Sequence, residues 1–235
     1  MALAPNEREL EPLSLEELEA IAVFPLPRVV LLPGGVLPLH LFEPRYRAMM
    51  QDCIDHGPRA IAMAMLQPGW ERDYERSPAI RPIAGVGRIV AHRKNPDGTF
   101  DLVLRGLCRA RLEERTDLDR AYRVARATLL DDEDGEDEPA LRRAIEPVLA
   151  TASSLAMLER ASGRGTADPL EVTGPAGRVV DRLADRWVHD AATRQTILET
   201  ASVPGRVARV SDALVTLLAQ LSSPSPSGGS TPPSN

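Results

Sequence analysis

The stretch "FPLPRVVLLPGGVLPLHLFEPRYRAMM", residues 24–50, decides how this chain is read. Pro25, Pro27, Pro33 and Pro38 exclude a long helix. The β-branched and leucine-rich run at 28–32 suits a short buried strand, "PGG" at 33–35 a turn, and "VLPLHLF" at 36–42 a second extended run. Prolines confine such strands to edges or bulges, as at the seam of a small barrel. Pro44 then fits the first turn of a helix, where its missing N–H costs nothing, with Glu43 at the positive end of the helix dipole. Tyr46, Met49, Met50, Cys53 and Ile54 follow at helical spacing, and Gly57 and Pro58 stop the helix.

Upstream, residues 1–21 read as a mobile lead-in, with a short helix in "LSLEELEAI" capped by Ser14 and Glu17. Downstream, residues 60–66 form an apolar strand and residues 85–93 another. "NPDG" at 95–98 is a turn between 85–93 and 99–106. The segments 99–106 and 107–114 alternate apolar and polar residues, and Gly106 between them suggests a bulge. Residues 122–130 complete the set. Short strands and tight turns over residues 22–130 point to a small, mostly antiparallel barrel. Residues 131–139 are an acidic linker, 140–221 carry helical apolar stripes, and 222–235 are low-complexity and expected to be disordered. The fold class is therefore α+β, a β barrel followed by a helical bundle.

With 43% hydrophobic residues but only 3% aromatic, aliphatic side chains must build the core. A net charge of -6 argues against a general nucleic-acid or membrane-surface binder. Two cysteines are too few for a disulfide framework, which points to the reducing cytoplasm. No apolar run reaches the ~20 residues needed to span a membrane. Lys94 is the one lysine, in "HRKNPDG", so a phosphate loop for nucleotide hydrolysis is absent.

Three groups of residues bear on function. Met63, Met65 and Leu66, with Trp70 in the polar loop beyond, are the candidate peptide-binding patch, since methionine adapts to varied apolar segments. Trp70 reads equally as a lid on the barrel or as an exposed contact. Arg88, Arg105, Arg109 and Arg111 offer a stripe for RNA phosphates if they share one open face, set against ordinary pairing with Asp101, Glu113 and Glu114. Cys53 and His56, three apart, offer a thiol–base pair or half a metal site, set against a structural cysteine. The acidic linker fails as a calcium loop, because leucines fall on its ligand positions. The expectation is no metal and no cofactor.

The opening stretch also resembles the signature of the Lon protease N-terminal, substrate-binding domain family. The similarity continues through "GVGRIVAHRKNPDGTFDLVLRGLCRARL" and resumes at "VVDRLADRWVHDAATRQTILETASVPGRVARVSDAL", where Leu198 and Glu199 precede Arg206. This resemblance implies a PUA-like β pseudo-barrel and a helical bundle, with Pro38, Phe42, Glu43, Pro44, Arg45, Tyr46 and Arg47 as architectural motif residues. It implies binding of unfolded or exposed protein segments without catalysis, in a separate version of the domain lacking ATPase and protease modules. A full-length Lon protease is a possible partner under the same resemblance. An RNA- or nucleotide-binding PUA-like module is the alternative.

Overall fold

A computed structural model describes residues 12–56, 59–72, 77–135, 137–163 and 173–222. Gly57, Pro58, most of the lead-in and all but the first residue of the segment 222–235 lie outside these residues. The chain runs α1 (Leu15–Glu19), β1 (Ile21–Leu26), β2 (Val36–Leu41), α2 (Pro44–Asp55), β3 (Ala60–Met65), β4 (Ile83–Lys94), β5 (Phe100–Arg115), β6 (Arg123–Leu130), then α3 (Glu138–Ala161), α4 (Ala176–Trp187), α5 (Ala191–Glu199) and α6 (Val203–Ser222). Ser14 caps α1 in a reciprocal capping box with Glu17, and Pro44 occupies the first turn of α2.

The sheet order is β2-β5-β4-β3-β1-β6, and β6 also pairs with β5. Strands β1, β3, β4, β5 and β6 therefore close a ring, antiparallel except for β1 with β3. The bore is narrow, and small side chains fill it: Ala60, Ala62, Ala64, Ala84, Ala110, Ala125 and Ala127 line it with Ile21, Val23, Val86 and Leu112. β5 is one long strand where the sequence suggested two. The register skips between Val86 and Gly87, opposite Gly106, so Leu107 bulges out. Beyond that bulge the first half of β5 leaves the ring and carries β2 as the sheet's terminal strand. α2 fills the angle between this extension and the ring wall. Its Tyr46, Met49, Met50 and Cys53 pack with Phe24, Ile61, Met63, Leu41, Phe100 and Leu104.

Two expectations about strands are corrected. The run at 28–32 is not a strand, and residues 21–26, to which the sequence reading gave no strand, are one. Val30, Leu31 and Leu32 are buried because they cross the sheet rather than join it. A Cβ on Gly85 would lie 1.8 Å from the Leu31 carbonyl oxygen, and one on Gly106 2.1 Å from that of Leu32. Only glycine leaves room for that crossing. Val30 and Leu32 project from it into the core of the helical half, which also takes Met65 and Ile83 from the barrel. α3 continues through Pro147, which faces solvent.

Candidate functional site

The residues singled out in the sequence do not gather in one place. Met63, Met65 and Leu66 are 1%, 9% and 5% exposed. They sit in three different clusters: Met63 under α2, Met65 against the helical half and Leu66 in the bore. The strand alternates faces while both faces are covered, so an apolar strand here is a buried strand and not a displayed patch. Trp70, in a single helical turn Trp70–Arg72, is half-buried and packs onto the bore cluster.

The arginine stripe does not form either. Arg109 is 3% exposed and binds Asp181 through paired 2.8 Å contacts, and Asp132 at 2.8 Å. Arg88 turns to Glu17 on α1, and Arg111 is exposed elsewhere on β5. Cys53 is buried, and desolvation, with a smaller contribution from the charge of Asp52, pushes its thiol up to about 12. His56 is exposed at the end of α2. A protonated thiol held inside the core is no nucleophile at neutral pH. Among the described residues, no group of three or more His, Cys, Asp or Glu side chains is placed to hold a metal ion.

What the structure displays instead is the outer face of β2. Leu37, Leu39 and Leu41 point inward toward α2. Alternation then turns Val36, Pro38, His40 and Phe42 to solvent, and Val36 and Phe42 are 50% and 64% exposed. Cross-strand partners share a face: Val36 stands opposite Arg105, Pro38 opposite Val103 and His40 opposite Asp101. His40 Nδ1 donates to Asp101 Oδ1 at 2.7 Å, and its ring stacks on Phe42 at 6.3 Å. Arg93 and Asn95 donate to the other oxygen of Asp101 at 2.7 and 3.1 Å. These three bonds, that from His40 foremost, hold the Asp101 carboxyl well below the usual carboxylate range. The outcome is an apolar strip on a terminal strand with a fixed polar rim.

The motif residues after Phe42 are structural in their contacts. Glu43 does not cap the helix backbone; its carboxylate receives Arg45 Nε at 2.9 Å. The Arg45 guanidinium also lies 4.7 Å over the Tyr46 ring. Arg47 lies against the turn at Gly98, where an added Cβ would meet its Nη2 at 2.3 Å. Pro38 and Phe42, expected to be architectural, are exposed, as is Pro44 in the first turn of α2. The alternation of 36–42 carried that signal, but the prolines drew the reading toward barrel closure.

Comparison with known proteins gives a consistent picture. Residues 20–216 match the family described as the ATP-dependent protease La (LON) substrate-binding domain. A Lon protease of Nitratidesulfovibrio vulgaris is 25% identical over 205 residues, covering 85% of this chain and 24% of that protein, so the chain spans about a quarter of the length of this relative. The crystal structure of a Lon N-terminal domain protein from Xanthomonas campestris superposes with a TM-score of 0.55 at 25% identity, covering 85% of this chain and 97% of that one. The N-terminal domain of the Mycobacterium avium complex Lon protease shares the fold, with a TM-score of 0.62 at 17% identity over 84% of this chain and 98% of that one. With the six-stranded sheet and following helices described above, the match over most of the sequence establishes that this chain belongs to the Lon substrate-binding domain family.

Proposed function

We propose that the chain binds exposed segments of other proteins on the outer face of β2, and that it does so without catalysis. The observation that carries this reading is the solvent exposure of Val36 and Phe42 on a terminal strand, flanked by Pro38 and the His40–Asp101 pair. Two large exposed apolar side chains at the two ends of a surface strand, with Pro38 between them, favour an extended apolar partner. The free edge of a terminal strand offers backbone groups to an extended segment. Pro38 offers no N–H there, which limits uncontrolled pairing.

Burying ~300 Å² of apolar surface at ~25 cal/mol per Å² gives a gross gain of about 7 kcal/mol. Association and ordering remove much of it. The binding is therefore weak and tolerant of sequence, as suits a surface that samples many segments. The RNA-binding alternative required Arg88, Arg105, Arg109 and Arg111 on one open face, but Arg109 is buried against Asp132 and Asp181 and Arg88 is paired with Glu17.

The test is fluorescence anisotropy with labelled, reduced and carboxymethylated lactalbumin as a permanently unfolded probe. Phe42→Asp and Val36→Asp weaken binding by about tenfold or more, while Val215→Asp on exposed α6 leaves it unchanged. Equal binding by all three variants rejects the β2 face as the site.

A further inference from the structure

We propose that the end of the barrel bore covered by α1 is an exchangeable docking site, which takes an acidic amphipathic segment of another protein in place of α1. The segment seated there shows the chemistry required. Leu13 and Leu18 pack onto the bore cluster. α1 directly precedes Ile21, so it lies at the end of the bore where β1 begins. Arginines from three successive strands close on its acidic residues. Arg88 of β4 donates to Glu17 Oε1 at 2.5 Å, and Arg126 of β6 to Glu19 Oε2 at 2.9 Å. Arg115 of β5 donates to the Glu19 carbonyl at 3.3 Å and to the Asp117 carboxylate. The pattern that fits is leucine, three residues, then glutamate–leucine–glutamate, from Leu13 to Glu19.

The contacts of α1 are those of a part that can leave. The helix is five residues long, too short to persist alone, and none of its residues is buried. Two half-buried leucines and two ion pairs open to solvent hold it, and such pairs hold weakly. Leu15, 83% exposed, points away from the barrel, so docking uses one face of the helix only. An incoming amphipathic helix has to match that one face. Departure of α1 uncovers apolar surface ringed by Arg88, Arg115 and Arg126, which selects a replacement carrying both leucines and carboxylates. The site does not involve β2 and does not depend on the function proposed for it.

The experiment is an amide NMR titration of the full chain with a peptide of residues 12–20, blocked at both ends. Glu17→Lys with Glu19→Lys, made in the full chain, sets like charges against Arg88 and Arg126 and releases α1. No residue of α1 is buried, so the barrel keeps its core. The peptide binds this variant saturably, and about tenfold more tightly than the wild type, whose own α1 occupies the site. Arg126→Gln added to the released chain weakens binding about threefold, the loss of one exposed ion pair. A peptide with glutamine at both positions binds more weakly still, and added salt weakens the parent peptide. The wild-type chain gives a second reading that needs no variant. Excess peptide speeds hydrogen exchange at the Leu18 amide, which donates to the Ser14 carbonyl at 3.1 Å while α1 is intact. Equal binding to both chains, indifference to Arg126→Gln and to the glutamine peptide, or no binding with Leu18 exchange unchanged overturns the site. Self-association of the released chain without peptide assigns the site to a second copy and overturns the proposal equally.

Discussion

Gly85 and Gly106 show how a single residue constrains the barrel. Each sits where a backbone carbonyl of the crossing segment presses on the sheet, closer than any Cβ allows. Since the obstacle is backbone, it cannot rotate away. Gly85→Ala and Gly106→Ala are each expected to cost about 3 kcal/mol or more, read as a lower urea midpoint at unchanged slope. The glycines were legible in the sequence as a motif and a bulge, but the segment they accommodate was not, because a crossing chain has no period of its own. The two cysteines give a second test at this scale. Burial, with a lesser push from Asp52, raises Cys53 to about 12, and burial raises Cys108 to about 11 against the pull of Arg109 and Arg88. A thiol reagent at pH 8 should label neither in the folded chain and both in urea. Unfolded thiols ionise near ~8.5 while the folded ones keep their protons, so above that pH the unfolded state binds fewer protons and stability falls as pH rises. The fall in urea midpoint between pH 8 and pH 10 should be shallower in the Cys53→Ala, Cys108→Ala double variant.

At the scale of elements, β5, α4 and α6 meet around a cluster of four charges, three of them buried. Arg109 binds Asp181 and Asp132. Arg206, 0% exposed, brings Nη2 within 2.7 Å of Asp132 and Nε within 3.4 Å of Asp181, obliquely enough that neither nitrogen completes a hydrogen bond. Burial raises the Asp181 carboxyl, against the pull of Arg109 and then Arg206. Gly177 makes the space, since a Cβ there would lie 2.0 Å from Asp132 Oδ2. Asp181→Asn strands two guanidiniums on one half-exposed carboxylate and should cost ~3–5 kcal/mol in urea unfolding. The double variant Arg109→Leu, Asp181→Leu should cost less than the sum of its single changes, because it removes partners together. This cluster was the least legible part of the molecule. Asp132 lay in what read as a solvated linker, and Arg109 in what read as an outward-facing alternation. Alternation says which face a side chain takes, but not that another element will cover that face. The same blindness misplaced Met63, Met65 and Leu66, whereas the α2 stripe and the Ser14 capping box depend only on neighbours in sequence and were read correctly.

For the whole molecule, the barrel and the bundle share one core. Val30, Leu32, Met65 and Ile83 from the barrel half pack with Leu183, Trp187, Ile197 and Val207 of the helices. Polar contacts reinforce the seam: Gln195 donates to the Ile83 carbonyl at 2.9 Å, and Arg194 to that of Val30 at 3.1 Å. The supposed joint is also pinned, as Glu133 accepts from Val203 N at 2.9 Å and donates to the Ala201 carbonyl at 3.1 Å. Two halves joined this way should unfold as one, even though the sequence divides into a β-rich and a helical region. Trp70 lies in the first half and Trp187 in the second, so Trp187→Phe leaves a probe of the barrel and Trp70→Phe a probe of the bundle. Within each variant the fluorescence midpoint in urea should coincide with that of far-ultraviolet circular dichroism. A barrel signal that survives the loss of helix refutes the shared core. The complementary test is a chain of residues 12–130, which bares the apolar seam and leaves Arg109 without Asp132, Asp181 or Arg206 beside it. Loss of so much apolar burial together with an unpaired buried charge exceeds the few kcal/mol of stability available to a chain of this size. It should show no cooperative transition.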